Sequence, residues 1–156
     1  MTEDDLPTAL NLPQADPLPE HTAKYFAVCE EKLGMVPNVL RAYAFDIDKL
    51  DVFTAFYNDL MLANSGLTKL EREMIAVVVS SENRCFYCLT AHGQAVRQLS
   101  GDPKLGEMLV MNYRAAALSE RQRAMCDFAV KTTRASAEIE EADREALRAV
   151  GFTDRD

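Results

Sequence analysis

Two cysteines, Cys85 and Cys88, stand three positions apart in Cys-Phe-Tyr-Cys, and His92 follows Cys88 by four residues. Two thiols at i and i+3 near a helix start can bring their Cα atoms within the roughly 4.4–6.8 Å that a disulfide needs. The first turn of a helix carries unsatisfied N–H groups and a positive partial charge. It favours the thiolate, and thiol pKa values in such settings fall to about 3.5–7.5. A thiolate is the nucleophile that peroxide reduction or disulfide exchange requires. His92 lies one helical turn beyond Cys88 and two beyond Cys85, so the three side chains share one line. An imidazole placed there could accept a thiol proton and return it to a leaving oxygen.

Glu73 is the less conspicuous member of the set. It sits in a segment apolar from Met74 through Val79, which predicts a buried central helix. Glu73 shares a stripe with Leu70, Met74, Val77 and Ser81, whereas Glu71 and Arg72 are free to point elsewhere. A buried carboxylate without a partner is costly. An imidazole is its natural partner, which would make Glu73, His92 and a thiol an orienter, a base and a nucleophile. That arrangement requires the two helices to pack side by side with the two residues aligned.

The elements that must do this positioning are helical, and strand alternation is nearly absent. A helix is expected from about Glu20 to Leu33, closed by Gly34, and a short one from Pro37 to about Ala44. From about Asp48 to Ala63, Leu50, Phe53, Phe56, Tyr57, Leu60 and Met61 recur at helical spacing. Thr68-Lys69-Leu70-Glu71 is a capping-box pattern that starts a helix reaching about Ser81, with Asn83 as its terminator. The next helix begins at or beside Cys85 and ends near Ser100-Gly101, and Asp102-Pro103 opens another. Ser119-Glu120-Arg121-Gln122 is a second capping box, and a last helix runs from about Glu140 to Val150. Glu138, Glu140, Glu141 and Asp143 read as a solvated helix start that complements the dipole. Cys29 and Cys126 fall within helical patterns and read as small buried apolar residues. The fold class is all-α: a single-domain bundle of about seven helices over residues 17–156, preceded by a loose arm over residues 1–16. At the far end, Thr153 or Asp154 offers a cap just before the sequence stops. A further C-terminal helix is the preferred reading there, and a natural short tail is the alternative.

The chain has 156 residues, enough to bury a core without disulfides or a structural metal. Seventeen basic against twenty-five acidic residues give a formal charge of −8, which argues against nucleic-acid backbone binding. The apolar run at Met74–Val79 is too short to span a bilayer, and the acidic start MTEDDLP is unlike a signal peptide. A cytoplasmic location follows, where four cysteines are not a disulfide scaffold. Leu89 after the second cysteine excludes c-type haem attachment. No Gly-rich phosphate loop occurs, so no cofactor is expected.

Glu73, eleven intervening residues, then Cys85-Phe86-Tyr87-Cys88 and His92 resembles the alkylhydroperoxidase D-like branch of the carboxymuconolactone decarboxylase family. The stretch EREMIAVVVSSENRCFYCLTAHG is similar to that branch's peroxidase-related subgroup, and the resemblance runs from about Gly34 to Asp156. It implies an all-helical homo-oligomer. It also implies that Cys88 attacks a hydroperoxide and becomes a sulfenic acid, and that Cys85 resolves it as a disulfide. Glu73 and His92 would relay the proton, and a dithiol or protein reductant would restore the thiols. Where the founding branch has a second histidine directly before the second cysteine, this chain has Tyr87. Tyr87 is a much weaker base near neutral pH, which suits a hydrogen bond or a pocket-shaping role. The family also usually continues past Asp154-Arg155-Asp156 with another helix.

Three other functions stay in view. Cys85, Cys88, His92 and Glu73 could supply four zinc ligands, although their spacing along one helix is poor for a tetrahedral site. A non-peroxidatic dithiol–disulfide oxidoreductase or a redox sensor would use the same cysteine pair. Decarboxylase activity is disfavoured, because that branch of the family generally lacks the CxxC.

Overall fold

The computed structural model describes residues 7–156, and those residues form eight α-helices and no strand. Each of the eight, including the six-residue α2, falls where the sequence predicts a helix, one more than the overall figure of about seven. The helices are α1 (Glu20–Leu33), α2 (Asn38–Tyr43), α3 (Ile47–Leu62), α4 (Lys69–Glu82), α5 (Phe86–Ser100), α6 (Pro103–Asn112), α7 (Glu120–Ala135) and α8 (Glu141–Ala149). Residues 1–6 of the expected arm lie outside the described residues, and residues 7–16 contain no helix. The chain divides into two compact units, Met1–Leu60 and Met61–Asp156.

In the first unit, Gly34 closes α1 at φ 74°, a left-handed conformation that costs glycine little. Phe26 and Cys29 of α1 are buried with Leu40, Ala44 and Leu50. Tyr43 and Phe53 stack with ring centroids 4.6 Å apart. The apolar stripe of α3 splits: Leu50 is buried and Phe53 packs on it, whereas Phe56 and Leu60 remain exposed. His21 Nε2 of α1 meets Asp51 of α3 at 3.1 Å.

In the second unit α4 is central. Met74, Val77 and Val78 have no exposed surface and pack with Val96, Leu109, Met125, Cys126 and Val130 from α5, α6 and α7. Burying each such side chain stabilises the fold by about 1.5–3 kcal/mol. Helix starts follow their local signals. Thr68 Oγ1 accepts the Glu71 N–H at 3.1 Å while Glu71 Oε2 accepts the Thr68 N–H at 2.8 Å. Ser119 and Gln122 form the same reciprocal box on α7, and Asp102 caps α6 through the Lys104 N–H. Asp143 accepts the Glu140 N–H at the start of α8 and pairs with Lys131 at 2.6 Å. Among the described residues, no helix is long and apolar enough to cross a membrane.

Helices α4 and α7 run parallel, as two ion pairs between them show: Glu71 with Arg121 at their starts and Glu82 with Arg134 at their ends. Helix α5 returns antiparallel to α4. This reversal brings the residues of the candidate site together.

Candidate active site

The reversal is a single tight junction. The Arg84 N–H donates to the Ser81 carbonyl at 3.1 Å, and the Cys85 N–H donates to the Ser80 carbonyl at 3.0 Å. These two bonds are the Schellman pattern that satisfies the last carbonyls of a helix. It requires a left-handed residue after the C-cap Asn83, and Arg84 takes that conformation at φ 54°. Cys85, the residue after it, is at once the end of this motif and the N-cap of α5. Its Sγ accepts the Cys88 N–H at 3.4 Å.

One turn inside α5, Cys88 is paired with Cys85 as a disulfide, their Cα atoms 5.3 Å apart. Both cysteines are half-buried, so they are reachable from solvent. Neither Cys29 nor Cys126 is paired, and both are buried, as expected. Burial, followed by the neighbouring Asp127 charge, pushes the Cys126 thiol up to about 12. Burial also raises the Cys29 thiol. The chain thus has two protected thiols and one accessible pair.

From the junction, seven residues back along α4 lead to Glu73 and seven forward along α5 lead to His92. The antiparallel packing holds those two positions side by side, and His92 Nδ1 lies 2.7 Å from Glu73 Oε2. A carboxylate only accepts, so the ring donates from Nδ1, and in the neutral imidazole Nε2 then presents its lone pair. The His92 side chain is 23% exposed and that of Glu73 15%, which keeps the pair partly shielded and its interaction stronger than at an open surface. His92 projects from the Cys88 face of α5, one turn away. The arrangement can orient an imidazole and move a proton beside a thiol pair at a helix start.

The remaining sequence candidates fall as follows. Tyr87 is half-buried between the cysteines and makes no side-chain hydrogen bond among the described residues. Glu71 and Arg72 do point elsewhere than Glu73, as their spacing allows, yet both are buried, at 7% and 6% exposed. Glu71 is held by the cap and by Arg121 Nε at 2.8 Å. Arg72 reaches the Ala63 carbonyl and Ser65 Oγ. Among the described residues, no group of three or more His, Cys, Asp or Glu side chains is arranged to hold a metal ion. An open groove of about 630 Å³ along α7 and α8, lined by Arg114, Phe128, Lys131 and Arg134 among others, includes none of the candidate residues.

Sequence reasoning missed the positioning role of Ser80 and Arg84. Glycine is the usual signal for a left-handed cap, and Asn83-Arg84 carries none.

Residues 48–104, which contain Glu73, Cys85, Cys88 and His92, match the model of the carboxymuconolactone decarboxylase family. The crystal structure of an uncharacterized peroxidase-related protein from Silicibacter sp. TM1040 is 74% identical to this chain. It aligns with a TM-score of 0.94 over 100% of this chain and 82% of its own. A second crystal structure, of an alkylhydroperoxidase AhpD core, an uncharacterized peroxidase-related protein from Ralstonia eutropha JMP134, is 43% identical. Its TM-score is 0.86 over 93% of this chain and 76% of its own. No curated protein matches the sequence. With the helical junction, the cysteine pair and these two similarities in agreement, the chain belongs to the carboxymuconolactone decarboxylase family, among its alkylhydroperoxidase D-like, peroxidase-related members.

Proposed function

We propose that the protein is a thiol-dependent peroxidase that reduces hydroperoxides through Cys88 and Cys85. The observation that carries this reading is the 2.7 Å contact between Glu73 and His92, one turn from a disulfide-capable pair at a helix start. In the proposed cycle, His92 Nε2 takes the Cys88 proton, and the thiolate attacks the terminal peroxide oxygen. The O–O bond breaks, the alkoxide takes the proton back from His92, and Cys88 is left as a sulfenic acid. The Cys85 thiolate then attacks the Cys88 sulfur, and hydroxide leaves as water after protonation. A dithiol reductant returns two electrons to the disulfide. Glu73 orients the imidazole and stabilises its protonated form, the part that a carboxylate plays beside a catalytic histidine.

The test is intact-mass and peptide analysis of reduced protein after one equivalent of an organic hydroperoxide at neutral pH. Rapid formation of the Cys85–Cys88 disulfide is expected. Cys88→Ser should abolish peroxide reduction, and Cys85→Ser should leave an overoxidisable sulfenic acid after one turnover. Thiols that stay reduced over minutes would refute the reading and favour disulfide exchange or metal binding.

Homo-oligomeric assembly is part of the same proposal. Val52, Phe56 and Leu60 form one stripe of α3 that is 71%, 64% and 54% exposed, which supports it. Light scattering of a monomer at micromolar concentration would remove that part alone.

A further inference from the structure

A Cys85–Cys88 disulfide offers an incoming thiolate two sulfurs to attack, and each attack expels the other cysteine. The two leaving groups are not equivalent. Cys85 Sγ sits at the N-cap of α5 and accepts the Cys88 N–H at 3.4 Å, whereas Cys88 Sγ accepts no hydrogen bond among the described residues. A departing sulfur gains negative charge. The site that already aims an N–H and the positive end of a helix at that sulfur makes it the better leaving group. The junction reinforces this: the Cys85 N–H is held by the Ser80 carbonyl and the Cys85 side chain by the cap, so the residue is fixed from both sides.

We propose that a dithiol reductant attacks Cys88 Sγ and that Cys85 leaves as a helix-capped thiolate. This assignment rests on the proposed redox activity of the pair. In the first step one reductant thiolate forms a bond to Cys88 Sγ. The Cys85–Cys88 bond breaks, and its electron pair goes to Cys85 Sγ. In the second step the other reductant thiol gives its proton to His92 Nε2 and attacks the reductant sulfur of the mixed disulfide. The bond to Cys88 breaks, and Cys88 leaves with the electron pair and takes the proton from His92. The reductant departs as its own disulfide, oxidised by two electrons, and the cysteine pair is reduced by two. The same cap serves the oxidising direction, because Cys85 must be a thiolate to attack a Cys88 sulfenic acid.

The experiment starts from the disulfide made with diamide, so that it does not depend on peroxide turnover. Oxidised protein is mixed with glutathione in the presence of iodoacetamide, digested with trypsin, and the Cys85–Arg97 peptide is sequenced by fragmentation. Glutathione on Cys88 with the alkyl group on Cys85 should exceed the reverse adduct by about tenfold. An equal mixture, or glutathione chiefly on Cys85, overturns the assignment. Failure to form either adduct overturns it together with the redox reading. Adducts on Cys88 in a protein that does not turn over peroxide would sink only the peroxidase reading. A second measurement is thiolate absorbance at 240 nm in Cys88→Ser and Cys85→Ser, since the backbone N–H of residue 88 survives the first substitution. Cys85 should ionise at least about one pH unit below Cys88, a tenfold difference in thiolate fraction. The opposite order overturns the proposal.

Discussion

The Cys85 amide donates to the Ser80 carbonyl at 3.0 Å, and this one bond closes α4 while fixing the residue that caps α5. The position of the redox pair is therefore set by how one helix ends. It depends on the left-handed Arg84, whose side chain is exposed.

The junction predicts unequal effects for two substitutions at that position. Arg84→Gly relieves the left-handed penalty but adds unfolded-state entropy, so stability should change by less than about 1 kcal/mol. Arg84→Val places a β-branched residue where φ is positive and should cost about 1–2 kcal/mol. Urea denaturation of both variants checks the pair, and equal midpoints would refute the role given to Arg84.

Glu73 and His92 should act as one unit. Glu73→Gln keeps a hydrogen-bond acceptor but loses the charge that stabilises a protonated imidazole. It should slow peroxide-driven disulfide formation by about 10–100-fold, and His92→Ala should slow it by about 100-fold or more. The double variant should be no slower than His92→Ala alone, because residues of one relay are not additive. Stopped-flow rates giving the product of the two single effects would show two independent contributions instead.

Glu71 is the buried carboxylate with the larger structural role. Burial alone would raise its pKa, but hydrogen bonds from Thr68 and Arg121 outweigh that effect and hold it below the ordinary value of 4.5. A depressed folded-state pKa contributes stability that is present above that ordinary value and is lost as pH falls through the folded one. Arg121→Ala leaves Glu71 unpaired and removes the guanidinium that lies 3.6 Å from the Phe152 ring centroid. The loss should be about 2–3 kcal/mol at pH 7, below that of a fully buried pair because Arg121 is 29% exposed. The variant should lose less further stability than the parent between pH 5 and about 3, as guanidinium denaturation across that range would show.

Cys126 should be chemically silent. With its thiol pushed up to about 12 by burial, only about one molecule in 10⁴ is ionised at pH 8. Iodoacetamide at pH 8 should therefore label reduced Cys85 and Cys88 at least about 100-fold faster than Cys126 in native protein. Comparable labelling by peptide mapping would contradict the burial of Cys126.

Much of this was legible in the residue order because it is local. The boxes at Thr68–Glu71 and Ser119–Gln122, the cap at Asp102 and the glycine at position 34 involve neighbours within a turn, so short-range chemistry decides them. The line Cys85, Cys88, His92 is local too, since one helix carries all three at its own periodicity. The pairing of Glu73 with His92 is different in kind. It joins two helices, and the expectation of it rested on assuming that they align. Tertiary structure supplied the alignment through the antiparallel return at Ser80–Cys85, with a left-handed arginine where no glycine marks the turn. It also decided that Glu71 and Arg72 are buried, whereas Glu73 is half-buried. Their partners Arg121, Ala63 and Ser65 lie outside α4, seven to fifty residues away, where the period of that helix does not apply. Residue order thus determined which groups could do chemistry and the helix that carries the thiols. The packing of α4 against α5 decided which carboxylate meets the imidazole, because only chain reversal brings distant side chains within hydrogen-bonding reach.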